Sequence, residues 1–483
     1  MEISNKRNET IRSECEVAEA TFSRADIMAN EENVRLVDAD EDTGLELYCY
    51  NRCDNDESEF IKGCRGLVFH GDQLVMKAFS YTDEYNNTDT VGLQTLMPDM
   101  SKWSFYTAYE GALIRLFYFS GKWFLTTHRK LNAFRSKWSS RESFGTLFKK
   151  ALENEATFNM NFRCKIGEGE WDNILDRFQG GLDKKKQYMF LLRNSSDNRI
   201  VCLPPGDGEH LVYHVGTFTD GQLSTTDDIG LVYPEKKTFT SIQHLSDHIT
   251  HDVDIRYCQG IICFGPRGQQ IKVFHKEYQN MFKARGNEPS LKFRYLQVRM
   301  NRQITDILYN LYPDMINTFD DIENTIYDIS RGIYTAYVDR FIKKMYVIVS
   351  REEYMVVNEC HTWHLENREK NIISIDKIIE VLNKQSPTNL NHMIRRVRLE
   401  RNKDTLVSQD TLVSQDTLVS QETTGDRGRT GDRGRTGDRG RTGDRGRTGD
   451  RGRTGDRGRT GDRGRTGGRG RTGGRGRTGD TST

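Results

Sequence analysis

The sequence predicts an α+β fold built on antiparallel sheet, followed by an all-helical region and a tail of repeats. Three observations carry this. Short aromatic and aliphatic runs come in pairs around turn-forming residues, as in a chain of hairpins. After Pro289 the apolar residues change to a spacing of three or four, the period of a helix face. From Asp404 onward the chain is written in tandem hexads. Many short paired strands with few helices between them define the α+β class.

Residues 1–45 are polar and weakly patterned, and read as a short helix and a linker. From Glu46 the pattern turns to β, and residues 67–69 and 73–78 form a hairpin over His70-Gly71-Asp72. The stretch 106–130 is the centre of the sheet region. A short loop carrying Glu110-Gly111 leads into strands at 113–119 and 123–127, folded over Ser120-Gly121-Lys122 and ending in Thr127-His128-Arg129-Lys130. Phe144, Leu147, Phe148 and Leu152 mark a helix within 135–154. Strands are expected at 187–192, 199–203 and 211–218. A last hairpin joins 260–264 to 269–275 across a Gly-Pro-rich turn.

Phe319, Ile322, Ile326, Ile329, Ile333 and Tyr337 predict one long amphipathic helix. Asp320 and Asp321 suit its first turn and Lys343 and Lys344 its end, as the helix dipole favours. Further helices are expected at 373–382 and 390–397. The resulting division is a polar segment 1–45, a sheet domain 46–285, a helical domain 286–403, DTLVSQ repeats 404–424 and an Arg/Gly-rich tail 425–483.

Charge is unevenly placed. Eighteen Arg against eight Asp give the stretch from Gly425 a charge of +10, and the 53 basic and 62 acidic residues before it give −9. An acidic body does not draw in nucleic acid by its bulk field, so any RNA contact there needs a local basic groove. The N-terminus lacks an apolar core, and no run approaches the ~18 apolar residues of a spanning helix, so no membrane partner is expected. Nine scattered cysteines suit a reducing, cytoplasmic setting. Cys49-x3-Cys53 and Cys360-His361-x2-His364 lack the second close pair that zinc wants, and read as ordinary thiols and surface histidines.

Residues 425–478 comprise seven GDRGRT and two GGRGRT hexads, with Gly at every third position and no Pro. Without Pro a triple helix loses its pre-set extended backbone. The favoured expectation is a solvated, disordered tail that binds RNA or another polyanion in a salt-dependent way; repeat expansion without function stays open.

Assembled in order, the motifs Gly63-Cys64-Arg65-Gly66-Leu67-Val68-Phe69, Tyr109-Glu110-Gly111, Asn198-Arg199-Ile200-Val201, Gln259-Gly260-Ile261-Ile262 and Ile271-Lys272-Val273 resemble the phage-type RNA ligases and their relatives in large DNA viruses. These are members of the covalent nucleotidyltransferase superfamily. The run from Ala284 to Lys292 and the helical region after it resemble the viral members most. The resemblance implies an antiparallel-sheet nucleotidyltransferase (ATP-grasp-like ligase) domain, with ATP and Mg²⁺ as cofactors and RNA as partner. A lysine of such ligases takes AMP from ATP as a phosphoramidate and passes it to an RNA 5′-phosphate. This chain has Ala108 at the lysine position, and a methyl group cannot attack phosphorus. A carboxylate of the family is here Leu191 or Leu192, another is Gln259, and the second lysine of the last strand is Phe274. What remains for a nucleotide is Arg65, Glu110, Gly111, Gly260 and Lys272, with His128, Arg129 and Lys130 suited to RNA phosphates and no metal ligand singled out.

Three functions are compatible with these features. The first is a ligase-like protein that has lost self-adenylylation and is retained to bind RNA or a nucleotide. The second is an active ATP-dependent RNA ligase with Lys102, Lys122 or Lys130 as nucleophile. The third is an assembly scaffold acting through its tail.

Overall fold

The computed structural model describes residues 22–401 except 168, 170–172, 207 and 267. Both repeat tracts and the residues before 22 lie outside the described residues, and so do the expectations for them. Fourteen strands are found among the described residues. Sheet one is a meander of β1 (Val34–Asp40), β2 (Leu45–Tyr50), β3 (Arg65–His70) and β4 (Gln73–Met76). The next strands are β5 (Asp83–Asn86), β6 (Ser104–Ala108), β7 (Gly111–Phe119), β8 (Lys122–Thr126) and β9 (Gln187–Arg193). The last five are β10 (Val212–Thr219), β11 (Gln222–Ser224), β12 (Lys236–Lys237), β13 (Gly260–Phe264) and β14 (Gln270–Phe274). Sheet two has the order β11-β10-β9-β7-β8 and sheet three β12-β6-β13-β14-β5. Every pairing is antiparallel except β14 with β5.

Each five-stranded sheet is covered on one face by helices. Phe148, Phe162 and Phe178, on helices Phe144–Phe158, Met160–Ile166 and Ile174–Gly180, pack on Ile114, Leu116 and Phe190 of sheet two. Leu93 and Leu245, on helices Thr90–Leu96 and Ile242–His251, pack on Phe105, Ile261 and Val273 of sheet three. Phe117, Phe124 and Met189 join sheet two to Leu45, Leu47 and Val68 of sheet one.

The C-terminal region is helical: Leu291–Val298, Arg302–Leu311, Ile316–Tyr337, Arg351–Glu366, Ile375–Asn383 and a helix over 387–401. All six stripe residues of the long helix, Phe319 through Tyr337, are buried. That core runs on without a break into Val201, Cys202, Phe274 and Tyr278 of the sheet region. The Tyr312 hydroxyl donates to the Ile200 carbonyl and accepts from the buried Arg285 Nε at 2.9 Å, which fixes the helices to the segment 199–202. No helix among the described residues is long and apolar enough to cross a membrane.

Three stretches differ from the sequence expectation. Residues 34–40 form a strand where a linker was expected; β1 is an edge strand with polar residues on both faces, which hides the two-residue period. Tyr106 to Ala108 belong to β6, where a loop was expected; Phe105, Tyr106, Thr107 and Ala108 are all buried, so no alternation shows. Residues 199–203 are not a strand, because their amides serve a side chain instead of a neighbouring strand.

Candidate functional site

Side chains from sheets two and three, with Arg65 from β3, line a cleft with a cavity volume of about 140 Å³. β6 supplies Tyr106, Thr107 and Ala108 to its wall. Ala108 pairs with Gly260 of β13, and the Gln259 N–H donates to the Ala108 carbonyl at 2.7 Å. Gly260 has φ +147°, and a Cβ there would lie 2.1 Å from the Val273 carbonyl oxygen; a Cβ on Gly111 would lie 2.3 Å from that of Leu192. Strand pairing by itself therefore demands both glycines. Gly111 also lines the cleft.

One part of the wall is apolar, with Phe79, Tyr106, Leu113, Leu191 and Phe264, and the Phe79 and Tyr106 rings each 5.8 Å from that of Phe264. Of the two leucines that could replace the family's acid, Leu191 faces the cleft, while Leu192 is buried in the core beneath the helices.

The rest is polar and cationic. Lys272 is half-buried, lies opposite Ile262 of β13 and Glu84 of β5, and has no hydrogen bond or ion pair among the described residues. Burial holds its ammonium below the usual lysine range, with Arg65 acting in the same direction and Glu84 and Glu110 against it. Burial likewise raises the Glu84 carboxyl, which Lys272 partly offsets. Arg65 donates from Nη1 to the Ser80 carbonyl at 3.1 Å, while its buried Nε has no partner. Thr107 Oγ1 and Gln259 Oε1, both buried, are also without partners. The orientation of Gln259 is set from behind: Nε2 donates to the Tyr278 hydroxyl at 2.7 Å, which donates to Glu110 at 3.5 Å. Buried polar atoms without partners are uncommon; Arg65 and Gln259, both in the cleft lining, carry one each, whereas Thr107, paired with Ile261, turns its side chain to the helix-covered face of sheet three.

The other expected residues sit elsewhere. Glu110 is 2% exposed and does not line the cleft; its carboxylate accepts the Val201 amide at 2.9 Å and the Cys202 amide at 2.6 Å. Burial raises its pKa and the two amides pull it back. Phe274, at the second-lysine position, is buried in the helical core. His128, Arg129 and Lys130 lie in the turn after β8 and face sheet one, outside the cleft lining. Arg129 donates to the Tyr50 carbonyl at 3.4 Å and Lys130 pairs with Asp38 at 3.2 Å. His128 is pushed down to about 3 by burial and by Arg65, Arg115 and Arg129, so its imidazole is neutral. Lys102, Lys122 and Lys130 are paired with Asp99, Asp40 and Asp38, and none lines the cleft; Lys272 does.

No lining residue is an Asp or Glu, and no group of three or more His, Cys, Asp or Glu among the described residues could hold a metal ion. Mg²⁺ is a hard cation that wants anionic oxygen, so the donor set presented here does not fit it. Thr82 and Gln270, hydrogen-bonded to each other at 3.0 Å, complete the polar wall together with the main chain at Thr107. Sequence alone singles out none of the three, because lone Thr and Gln residues carry no spacing signal.

Comparison with known proteins gives two kinds of similarity. The collagen triple helix repeat family model matches residues 423–481, siding with the glycine period where the expectation of a solvated Arg/Gly tail gave more weight to the missing proline. Over the body, the chain is similar to viral proteins. It is 28% identical over 379 residues to the immediate-early protein ICP-46 homolog of Invertebrate iridescent virus 6, covering 73% of this chain and 80% of the relative. It is 28% identical over 303 residues to the homolog of Invertebrate iridescent virus 3, covering 60% and 62% of the two chains. To immediate-early protein ICP-46 of Frog virus 3 (isolate Goorha) it is 25% identical over 273 residues, covering 54% and 64%. Among solved structures, a putative ATP-dependent DNA ligase from Aquifex aeolicus aligns at a TM-score of 0.33 and 10% identity, over 70% of this chain and 86% of that one.

Proposed function

We propose that the chain is an RNA ligase-like protein whose cleft binds a nucleotide or an RNA end without becoming covalently attached to it. The observation that carries this is the cleft wall itself: a methyl group at Ala108 on the same lining as two cations, Arg65 and Lys272, with no carboxylate among the lining residues. Arg65 and Lys272 attract phosphate, Gln259 Oε1 accepts from a hydroxyl or amino group, and the apolar wall receives a base. Self-adenylylation needs an amine where Ala108 stands, and deleting a nucleophile from a well-studied protease costs on the order of 10⁶ in turnover. The order of the motif residues along the chain supports the ligase-like reading of the sheet domain.

The test uses the full chain with α-labelled ATP and Mg²⁺. Equilibrium binding of ATP with no acid-labile, protein-bound AMP is expected. A labelled adduct mapped to any lysine would overturn the non-covalent reading, and Lys272 is the first to examine because it alone among the named lysines lines the cleft.

A further inference from the structure

We infer, resting on the nucleotide-binding reading above, that the cleft takes its ligand as the metal-free polyanion, with Arg65 and Lys272 doing the charge neutralisation that Mg²⁺ usually does. The cleft wall carries two cationic side chains and not one carboxylate. The positions where the family resemblance leads one to expect acids hold Leu191 and the neutral Gln259. Glu110, the acid retained in the motif, has its carboxylate committed to the Val201 and Cys202 amides and the Tyr278 hydroxyl. Glu84 pairs with Lys272 on the same face of sheet three and acts on its charge, but it is not part of the lining.

Two cations without an acid complement a fully charged phosphate chain. They gain less from one whose charge Mg²⁺ has already cut, and they offer the ion no anionic oxygen in exchange. Arg65 donates to the neutral Ser80 carbonyl and to no carboxylate among the described residues, so its charge is left for an anion. Magnesium therefore competes with this cleft for the nucleotide.

The experiment is calorimetric titration of ATP into the full chain, once in EDTA and once in excess Mg²⁺ at matched ionic strength. The Arg-rich tail attracts ATP on its own account, so cleft binding is the part that Arg65→Ala removes. That cleft-specific affinity is expected to be equal or weaker in Mg²⁺, and Lys272→Ala is expected to lower it about tenfold in EDTA. Affinity that tightens on adding Mg²⁺ overturns the inference while leaving the nucleotide-binding reading standing. Absence of cleft-specific binding in both buffers overturns both. Gln259→Glu restores an acid beside the two cations and is expected to weaken binding in EDTA about tenfold, with recovery in Mg²⁺; unchanged affinity would also overturn the inference. If circular dichroism shows that Gln259→Glu does not fold, Gln270→Glu on the same wall makes the same test.

Discussion

The segment Ala108 to Gly111 has two sides, and they are built on opposite terms. Behind it, the motif acid is met: Glu110 holds two backbone amides, and Tyr278 links it to Gln259. In front, the cleft lining holds Arg65 and Lys272 with no carboxylate among the lining residues, and Gln259 Oε1 is without a partner. The rear face is finished by the protein alone, whereas the front leaves groups for something else to finish. A retained motif acid therefore belongs to the framework here, although sequence alone places it beside the ligand.

The sharpest way to break this contrast is Glu110→Ala. It leaves two buried amides unsatisfied and is expected to cost about 3 kcal/mol, read from the urea midpoint at unchanged m-value. If stability held and only ligand binding fell, Glu110 would belong to the front. A second test uses acid. His128 beside Arg65 and His214 on β10 are pushed down to about 3 and about 4, chiefly by burial. Their unfolded forms bind protons from about pH 6.5 downward while the folded forms do not, so stability is full above that pH. It then falls by up to about 1.4 kcal/mol per pH unit for each histidine until the folded pKa is reached. His128→Asn should flatten part of that slope in urea melts at pH 6, 5 and 4. The smallest effect is that of Lys272→Ala on stability, expected between no change and a gain of about 1 kcal/mol, because the ammonium gives up hydration and gains only the Phe274 ring, 5.3 Å from its nitrogen, in return. Its folded pKa is depressed, so the parent should grow more stable as pH rises from that value towards the unfolded 10.5, and the variant should lack the rise in melts at pH 8 and 10.

Sequence was most readable where one period rules. The stripe from Phe319 to Tyr337 is buried residue for residue, and the hairpin runs around Ser120-Gly121 and Gly265 to Gly268 became β7-β8 and β13-β14. It was least readable where burial is two-sided or absent. β6 is buried on both faces, β1 has polar residues on both, and in neither does alternation survive. In the cleft, Arg65 and Lys272 were found through motif order. Which of Leu191 and Leu192 faces the cleft required the register Leu113–Leu191. That Glu110 turns away depends on the irregular path of 199–202, which Arg-Ile-Val-Cys, as β-prone as any strand, does not announce.

The segment 199–202 hands its amides to Glu110 on one side and the Ile200 carbonyl to Tyr312 on the other. The chain is therefore less modular than its motif map implies. A fragment cut after residue 285 would strip the clasp from behind the binding wall, and Val201, Cys202, Phe274 and Tyr278 would lose the helical side chains they pack with. Loss of ligand by such a fragment would report a collapsed framework and would say nothing about whether the helices touch the ligand.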